Sequence, residues 1–214
     1  MATIHRTTMA PTKLELLTAW LPRQPWYRGA GSPVLTRAGG FRLDDPAGEV
    51  GMENMFVTDG DGTTYFVPVT YRGAPLAGAE AGLVGTSEHG VLGTRWIYDA
   101  AHDPVAVTQL LAFLQGDAEA QHQSESDTPD PSVGRSGVAG FRLTAPRELR
   151  VSQTDRATTV LVELGAPSSA DTGQLTLELL RVPSPGASTG LGHVEADWAR
   201  LDGTTARGPV AILR

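Results

Sequence analysis

TTVLVEL (158–164) and QLTLELLRV (174–182), joined by an APSSADTG loop, are the two runs on which the reading of this chain turns. Alternation places Val160, Val162 and Leu164 on one face of the first run, and Leu175, Leu177 and Leu179 on one face of the second. The opposite faces carry Thr159, Leu161 and Glu163, and Thr176, Glu178, Leu180 and Val182. Period-2 patterning with one apolar and one mixed face predicts antiparallel strands that cover a core on one side. Glu178 stands in the middle of the mixed face.

Working outward, every other run downstream of residue 137 is also strand-like: Val138–Leu143, Leu149–Gln153, Leu191–Trp198 and Val210–Arg214. PSPGASTG and LDGTTARG read as the turns between them, and no helix is written after residue 116. Upstream, residues 117–137 (DAEAQHQSESDTPDPSVGRSG) contain hardly any apolar side chain. Such a composition buries too little surface to offset ordering entropy, so a flexible linker is expected there.

The first half mixes helix and strand signals. Thr12 and Glu15 fit a capping box ahead of Leu14, Leu17 and Leu21 at helical spacing, and Pro22 ends or kinks that helix. Val34–Leu43, Val50–Thr58 and Thr63–Tyr71 read as strands, the last two joined by a DGDG turn at 59–62. Pro68 predicts an edge strand or a bulge. Residues 73–90 are Gly/Ala-rich and ambiguous, and Val91–Tyr98 reads as a further strand. Asp103-Pro104 opens the clearest helix, with Val107, Leu110, Leu111 and Leu114 as its stripe and Gly116 as its stop. Residues 1–11 read as a loose arm or a first edge strand. GFRL occurs at 40–43 and 140–143, a repeat short enough to arise by chance.

Composition narrows the function classes. The chain has 214 residues, 40% hydrophobic and 19% charged, as an ordinary globular protein does. A net charge of −7 disfavours nucleic-acid and anionic-membrane surfaces, which need clustered positive charge. There is no cysteine, hence no thiol nucleophile and no thiolate metal site. The N-terminal residues lack the apolar run of a signal peptide and no stretch approaches a membrane span, so a cytoplasmic protein is expected. Lys13 is the sole lysine.

Few motifs carry chemistry. GASTGLG (186–192) is Gly-rich but lacks the lysine and following helix of a phosphate loop. His89, His102 and His193 lie near Glu88, Asp103 and Glu195 without metal-ligand spacing. Glu163 and Glu178 would form an acid–base pair only if they faced each other across the strands, and a partly solvated sheet face is the plainer reading. Trp26 and Tyr27, beside Arg23 and Arg28, offer a sugar-stacking surface or, more simply, a core seal. No catalytic, cofactor-binding or metal-binding residue is assigned.

Two segments carry a family resemblance. WLPRQPWYRGAG (20–31), after an amphipathic helix, resembles the helix end of the N-terminal cap of actinobacterial maltokinases and related aminosugar kinases. LVGTSEHGVLGTRWIYDAAHDPV (83–105) looks like the later strand and helix start of the same cap. More weakly, residues 138–214 are similar to the N-terminal lobe of those kinases. There, a strand reads apolar-apolar-Lys-apolar-apolar-Arg, which lays the lysine on Glu178 and the arginine on Arg181. LGHVEADW (191–198) and GPVAIL (208–213) resemble the two strands that follow.

The resemblance implies an α+β fold in two pieces. An antiparallel sheet with two helices (1–116, cap-like) is followed, after the 117–137 linker, by an all-antiparallel β remnant of a kinase N-lobe (138–214). It also implies lost chemistry. The phosphate-binding lysine is a glutamate, PSPGASTG (183–190) is too short for the helix that would supply the lysine's Glu partner, and the sequence stops about where a hinge would begin. A non-catalytic, pseudokinase-like accessory protein with a protein partner is therefore expected, by analogy in α-glucan or trehalose metabolism. A sugar or sugar-phosphate binder, and half of a split sugar kinase, are the alternatives.

Overall fold

The computed structural model describes residues 8–138, 146–164 and 174–214, with the backbone alone at 146–148 and 163–164. Strand β1 (Met9–Ala10) leads into helix α1 (Lys13–Trp20). Thr12 Oγ1 accepts from the Glu15 amide, and Glu15 Oε2 accepts from the Thr12 amide at 2.7 Å, closing the expected capping box. The bonds that Glu15 Oε2 accepts from the Thr12 amide and, at 2.8 Å, the Thr12 hydroxyl hold its carboxyl below its ordinary pKa. Pro22 lies in a short 3₁₀ turn (Leu21–Arg23) that bends the chain toward Trp26.

Strands β2 (Thr36–Arg42), β3 (Gly51–Thr58), β4 (Thr64–Arg72), β5 (Leu83–His89) and β6 (Gly93–Asp99) follow. The DGDG turn joins β3 to β4 because Asp59 gathers its donors: Oδ1 accepts from the amides of Asp61 and Thr63, and Gly62 takes φ 85°. Strand β5 falls within the stretch that looked ambiguous, since its buried residues Val84 and Ser87 stand three apart, beside a register shift at Leu83/Gly85, and write no alternation. Helix α2 (Pro104–Gln115) is bounded as its residues dictate: Asp103 accepts from the Val105 amide and Gly116 closes the C-terminus at φ 90°.

Beyond α2 come β7 (Gln121–His122), β8 (Val133–Ser136), β9 (Pro146–Gln153), β10 (Ala157–Leu164), β11 (Gln174–Leu180), β12 (Gly192–Ala199) and β13 (Thr205–Leu213). The first sheet has the order β1-β5-β6-β4-β3-β2-β7 and the second β8-β12-β13-β11-β10-β9, every pairing antiparallel. The fold is mostly β with two short helices, a coarse α+β architecture.

Pro68 is not on an edge strand: β4 is the middle strand of the first sheet. Its setting is locally edge-like. β6 pairs with β4 only from Val69 to Arg72, while the Phe66 amide on the same side donates to the Arg181 carbonyl at 2.9 Å. Pro68 falls between these two partners, where β4 changes neighbours and no ladder amide is needed.

The two sheets share a core. One cluster joins Phe41, Phe56 and Phe66 of the first sheet with Val160, Val162, Leu177, Leu179 and Val194 of the second, and α2 fills it with Val107, Leu110, Leu111 and Leu114. Val160, Val162, Leu177 and Leu179 are the apolar face read from the alternation. A second cluster lies on the other side of the first sheet, where Leu17, Trp20, Leu21 and Trp26 cover Met55, Val57, Tyr65 and Val67. The layers run from α1 through the first sheet to the second, and β4 is buried on both faces over Thr64–Thr70.

Residues 117–137, where a flexible linker was expected, include β7 and β8. β7 borders β2 at the edge of the first sheet, and β8 borders β12 at the edge of the second. Side chains supply the hydrogen bonds that composition left out of account: Asp130 Oδ1 accepts from the Ser132 amide and hydroxyl, and Arg207 reaches the Ser132 carbonyl at 2.9 Å. The APSSADTG loop, most of the Val138–Leu143 run and the second GFRL lie outside the described residues.

Candidate functional site

Register assembles one row of residues across all six strands of the second sheet. Ser136 pairs with His193, His193 with Ile212, Ile212 with Glu178, Glu178 with Thr159, and Thr159 with Ser152. Glu178 is central, on the face turned away from α2, since its neighbours Leu177 and Leu179 point into the shared core. Its Oε2 accepts from Arg214 Nε at 3.1 Å, and Arg214 Nη1 also donates to the Thr189 carbonyl at 2.7 Å. The side chains are 27% and 48% exposed, so this is a solvated ion pair. At the end of the row, the Ser136 hydroxyl lies 2.7 Å from His193 Nδ1 and accepts from the His193 amide at 3.0 Å.

Glu163 does not face Glu178. It sits opposite Gln174, four residues along β10 from the Thr159 that pairs with Glu178. A carboxylate pair across these strands is thereby ruled out by register.

Three residues beyond Glu178, just past the end of β11, the chain reaches inward. Arg181 is fully buried, and its guanidinium meets Asp99 Oδ2 at 2.5 Å, Thr158 Oγ1 at 2.7 Å and the Phe66 carbonyl at 3.5 Å. It also lies over the Trp26 ring, 5.1 Å from the centroid. Asp99 ends β6 and is fully buried too, with its Oδ1 capping the Ala101 amide at 3.1 Å. A dry charge pair persists only with good geometry and further hydrogen bonds, and both are present. His102, one turn beyond Asp99, has its pKa lowered, first by burial, with Asp99 opposing and Arg181 adding to the shift.

Trp26 stacks edge-on against Trp20 at 5.6 Å and tilts against Tyr65 at 6.0 Å. The Tyr65 hydroxyl donates to Asp59 Oδ2 at 2.9 Å and accepts from the Arg28 amide at 3.2 Å; burial pushes its pKa up to about 12. Trp26 is therefore a core seal, as the plainer reading had it, and Tyr27 packs half-buried at its edge. The sequence offered Arg181 only as one letter of a resemblance. Its place at the end of an apolar strand was the available signal, and its partner Asp99, 82 residues away, had none.

The remaining candidates have structural work. Lys13 pairs with Glu53, which also accepts from the Tyr71 hydroxyl at 3.1 Å. His89 Nδ1 accepts turn amides from Val91 and Leu92. Among the described residues no group of three or more His, Cys, Asp or Glu side chains is placed to hold a metal. The cavity between Leu43, Pro68, Leu110 and Leu177 has a volume of about 20 Å³, room for about one water rather than a sugar. Among the described residues no helix is long and apolar enough to cross a membrane.

Against this geometry, the family model of the maltokinase N-terminal cap domain matches residues 20–103. The match begins at Trp20, takes in β2 to β6 whole, and ends on the N-cap of α2. It links the first half of the chain to the maltokinase N-terminal region. Trp26 and Asp99 lie inside it, Glu178 and Arg181 outside.

Proposed function

We propose that this chain is a non-catalytic protein-interaction or accessory protein, whose second sheet is a kinase N-lobe remnant packed on a maltokinase-type cap. One observation carries the reading: Glu178, where the resemblance lays a phosphate-binding lysine, is paired with Arg214. In protein kinases that lysine sits on the third strand and is paired with a helical glutamate. β11 is the third strand of the meander β9–β10–β11, which supports the alignment. The connection from Arg181 to Leu191 is made of bends and irregular chain with no helix, so it would offer such a lysine no helical partner.

Phosphoryl transfer relies on positioning and on cations that neutralise developing charge. A carboxylate in place of lysine changes the local charge by two units. At about 4 Å and an effective dielectric of about 20, each unit interaction is worth about 4 kcal/mol before solvent screening. Exposure of the pair reduces that several-fold, and Arg214 offsets the rest, so the position offers a phosphate close to nothing. Placement of the partner in α-glucan metabolism rests on the cap likeness alone.

The test is turnover. With radiolabelled ATP, magnesium and glucose or maltose, the full chain should yield no labelled sugar above a protein-free control. Sugar phosphate formed at a rate proportional to protein concentration would contradict the reading.

A further inference from the structure

Arg181 follows a strand of the second sheet, yet most of what holds its side chain belongs to the first. The guanidinium donates in three directions: Nε to Thr158 Oγ1 at 2.7 Å, Nη2 to Asp99 Oδ2 at 2.5 Å and Nη1 to the Phe66 carbonyl at 3.5 Å. Its central carbon lies 5.1 Å from the centroid of the Trp26 ring. Trp26, Phe66 and Asp99 all fall within the cap-matched residues 20–103, and only Thr158 lies outside them. The main chain joins in: the Phe66 amide donates to the Arg181 carbonyl and the Arg181 amide to the Arg156 carbonyl, both at 2.9 Å. The first of these bonds uses the side of β4 that β6 leaves open before Val69.

Each wall of this site is held by contacts of its own. Asp99 Oδ1 accepts from the Ala101 amide at 3.1 Å, which leaves Oδ2 for the guanidinium. Trp26 is wedged between Trp20 and Tyr65, ring to ring at 5.6 and 6.0 Å. The Phe66 carbonyl belongs to the central strand β4, and Thr158 sits on β10 opposite Leu179. The shape selects its ligand. A guanidinium carries its N–H groups around the rim of one plane and presents a flat, weakly hydrated face to an indole ring. An ammonium is a strongly hydrated point charge with no face to stack, and a neutral amide has no charge to set against the buried carboxylate.

We propose that Asp99, Phe66, Thr158 and Trp26 form a guanidinium-binding socket, built mainly by the first sheet, and that Arg181 is its ligand in cis, latching the second sheet to the first. What the socket recognises is the planar cation, so a small guanidinium should take the place of a missing Arg181 side chain. In the wild type the place is filled, since neither Arg181 nor Asp99 has any exposed side chain, and an added cation finds no room. The inference stands on this geometry and does not depend on whether the chain is an accessory protein.

Chemical rescue of the full-length Arg181→Ala variant tests it. In scanning calorimetry its melting temperature should rise saturably with methylguanidinium, by about 3–5 °C at about ten times the dissociation constant. Methylammonium has the charge without the plane, and methylurea the plane without the charge; each should leave the variant within about 1 °C of its unliganded value. The wild type should respond to none of the three. No saturable rise up to about 50 mM methylguanidinium would overturn the proposal, as would an equal rise with either control or in the wild type. If Arg181→Ala does not fold, Arg181→Lys decides, because it keeps the charge and loses the planar fork. That variant should melt about 5 °C or more below the wild type, and one as stable as the wild type would overturn the proposal. Failure here leaves the turnover test untouched, and sugar phosphorylation would not alter the rescue.

Discussion

Two ion pairs stand three residues apart, one on β11 and one just past its end, and live in different solvents. Glu178–Arg214 faces outward with both side chains partly exposed, whereas Arg181–Asp99 is sealed between the sheets with none of either exposed. Exposed pairs contribute about 0–1 kcal/mol, while losing one partner of a buried pair costs about 3–5 kcal/mol because the other is stranded. The strand therefore keeps architecture on one side and leaves the other side free to vary. The proposed likeness to a kinase N-lobe would lay a lysine and an arginine on the same two positions. The arginine is present here and carries the junction; the lysine is absent and the fold does not miss it.

That contrast can be broken most forcefully at Asp99. Asp99→Ala should lose about 3–5 kcal/mol and lower the melting temperature by roughly 10 °C or more, as scanning calorimetry would record. A second blow falls on the ring beneath Arg181. Trp26→Ala should cost about 3 kcal/mol in urea unfolding, with a wild-type slope, because it empties a core site and uncovers the guanidinium. Tyr65→Phe removes the hydroxyl between Asp59 and the Arg28 amide and should cost about 1 kcal/mol. Outside the junction, Glu178→Gln should stay within about 1 kcal/mol of the wild type in the same assay.

The smallest effect concerns pH. His102 has a folded pKa below its unfolded value near 6.5, so the unfolded chain binds the proton first as pH falls. Its neutral form stabilises the fold fully above that pH. Stability should decline from about pH 6.5 downward until the folded His102 also protonates. Urea midpoints at pH 7.5 and 5.5 should lie closer together in His102→Asn than in the wild type. Equal gaps in the two proteins would remove His102 from the account.

Much of this fold was legible because single strands and helices announce themselves locally. Alternation placed Val160, Val162, Leu177 and Leu179 on the buried face, and Asp103-Pro104 with Gly116 bounded α2. What was not legible depends on contacts distant in sequence. Nothing near Asp99 points to Arg181, and nothing near Pro68 says that β4 changes neighbours there. The polar run 117–137 looked incapable of order because an apolar count ignores Asp130, Ser132 and the two sheet edges they serve. Whether Glu163 met Glu178 was likewise left open by the sequence, since their register is not fixed by the length of the intervening loop, and the plainer reading of two separate glutamates is the one the register gives.

The central claim is the proposed one, that the arginine just past β11 is structural while the outward position on that strand receives no nucleotide. Isothermal titration of magnesium ATP into the full chain tests it most directly. The account predicts no saturable heat up to millimolar nucleotide, in the wild type and in Glu178→Gln alike. Saturable one-to-one binding at micromolar concentration in the wild type would contradict it.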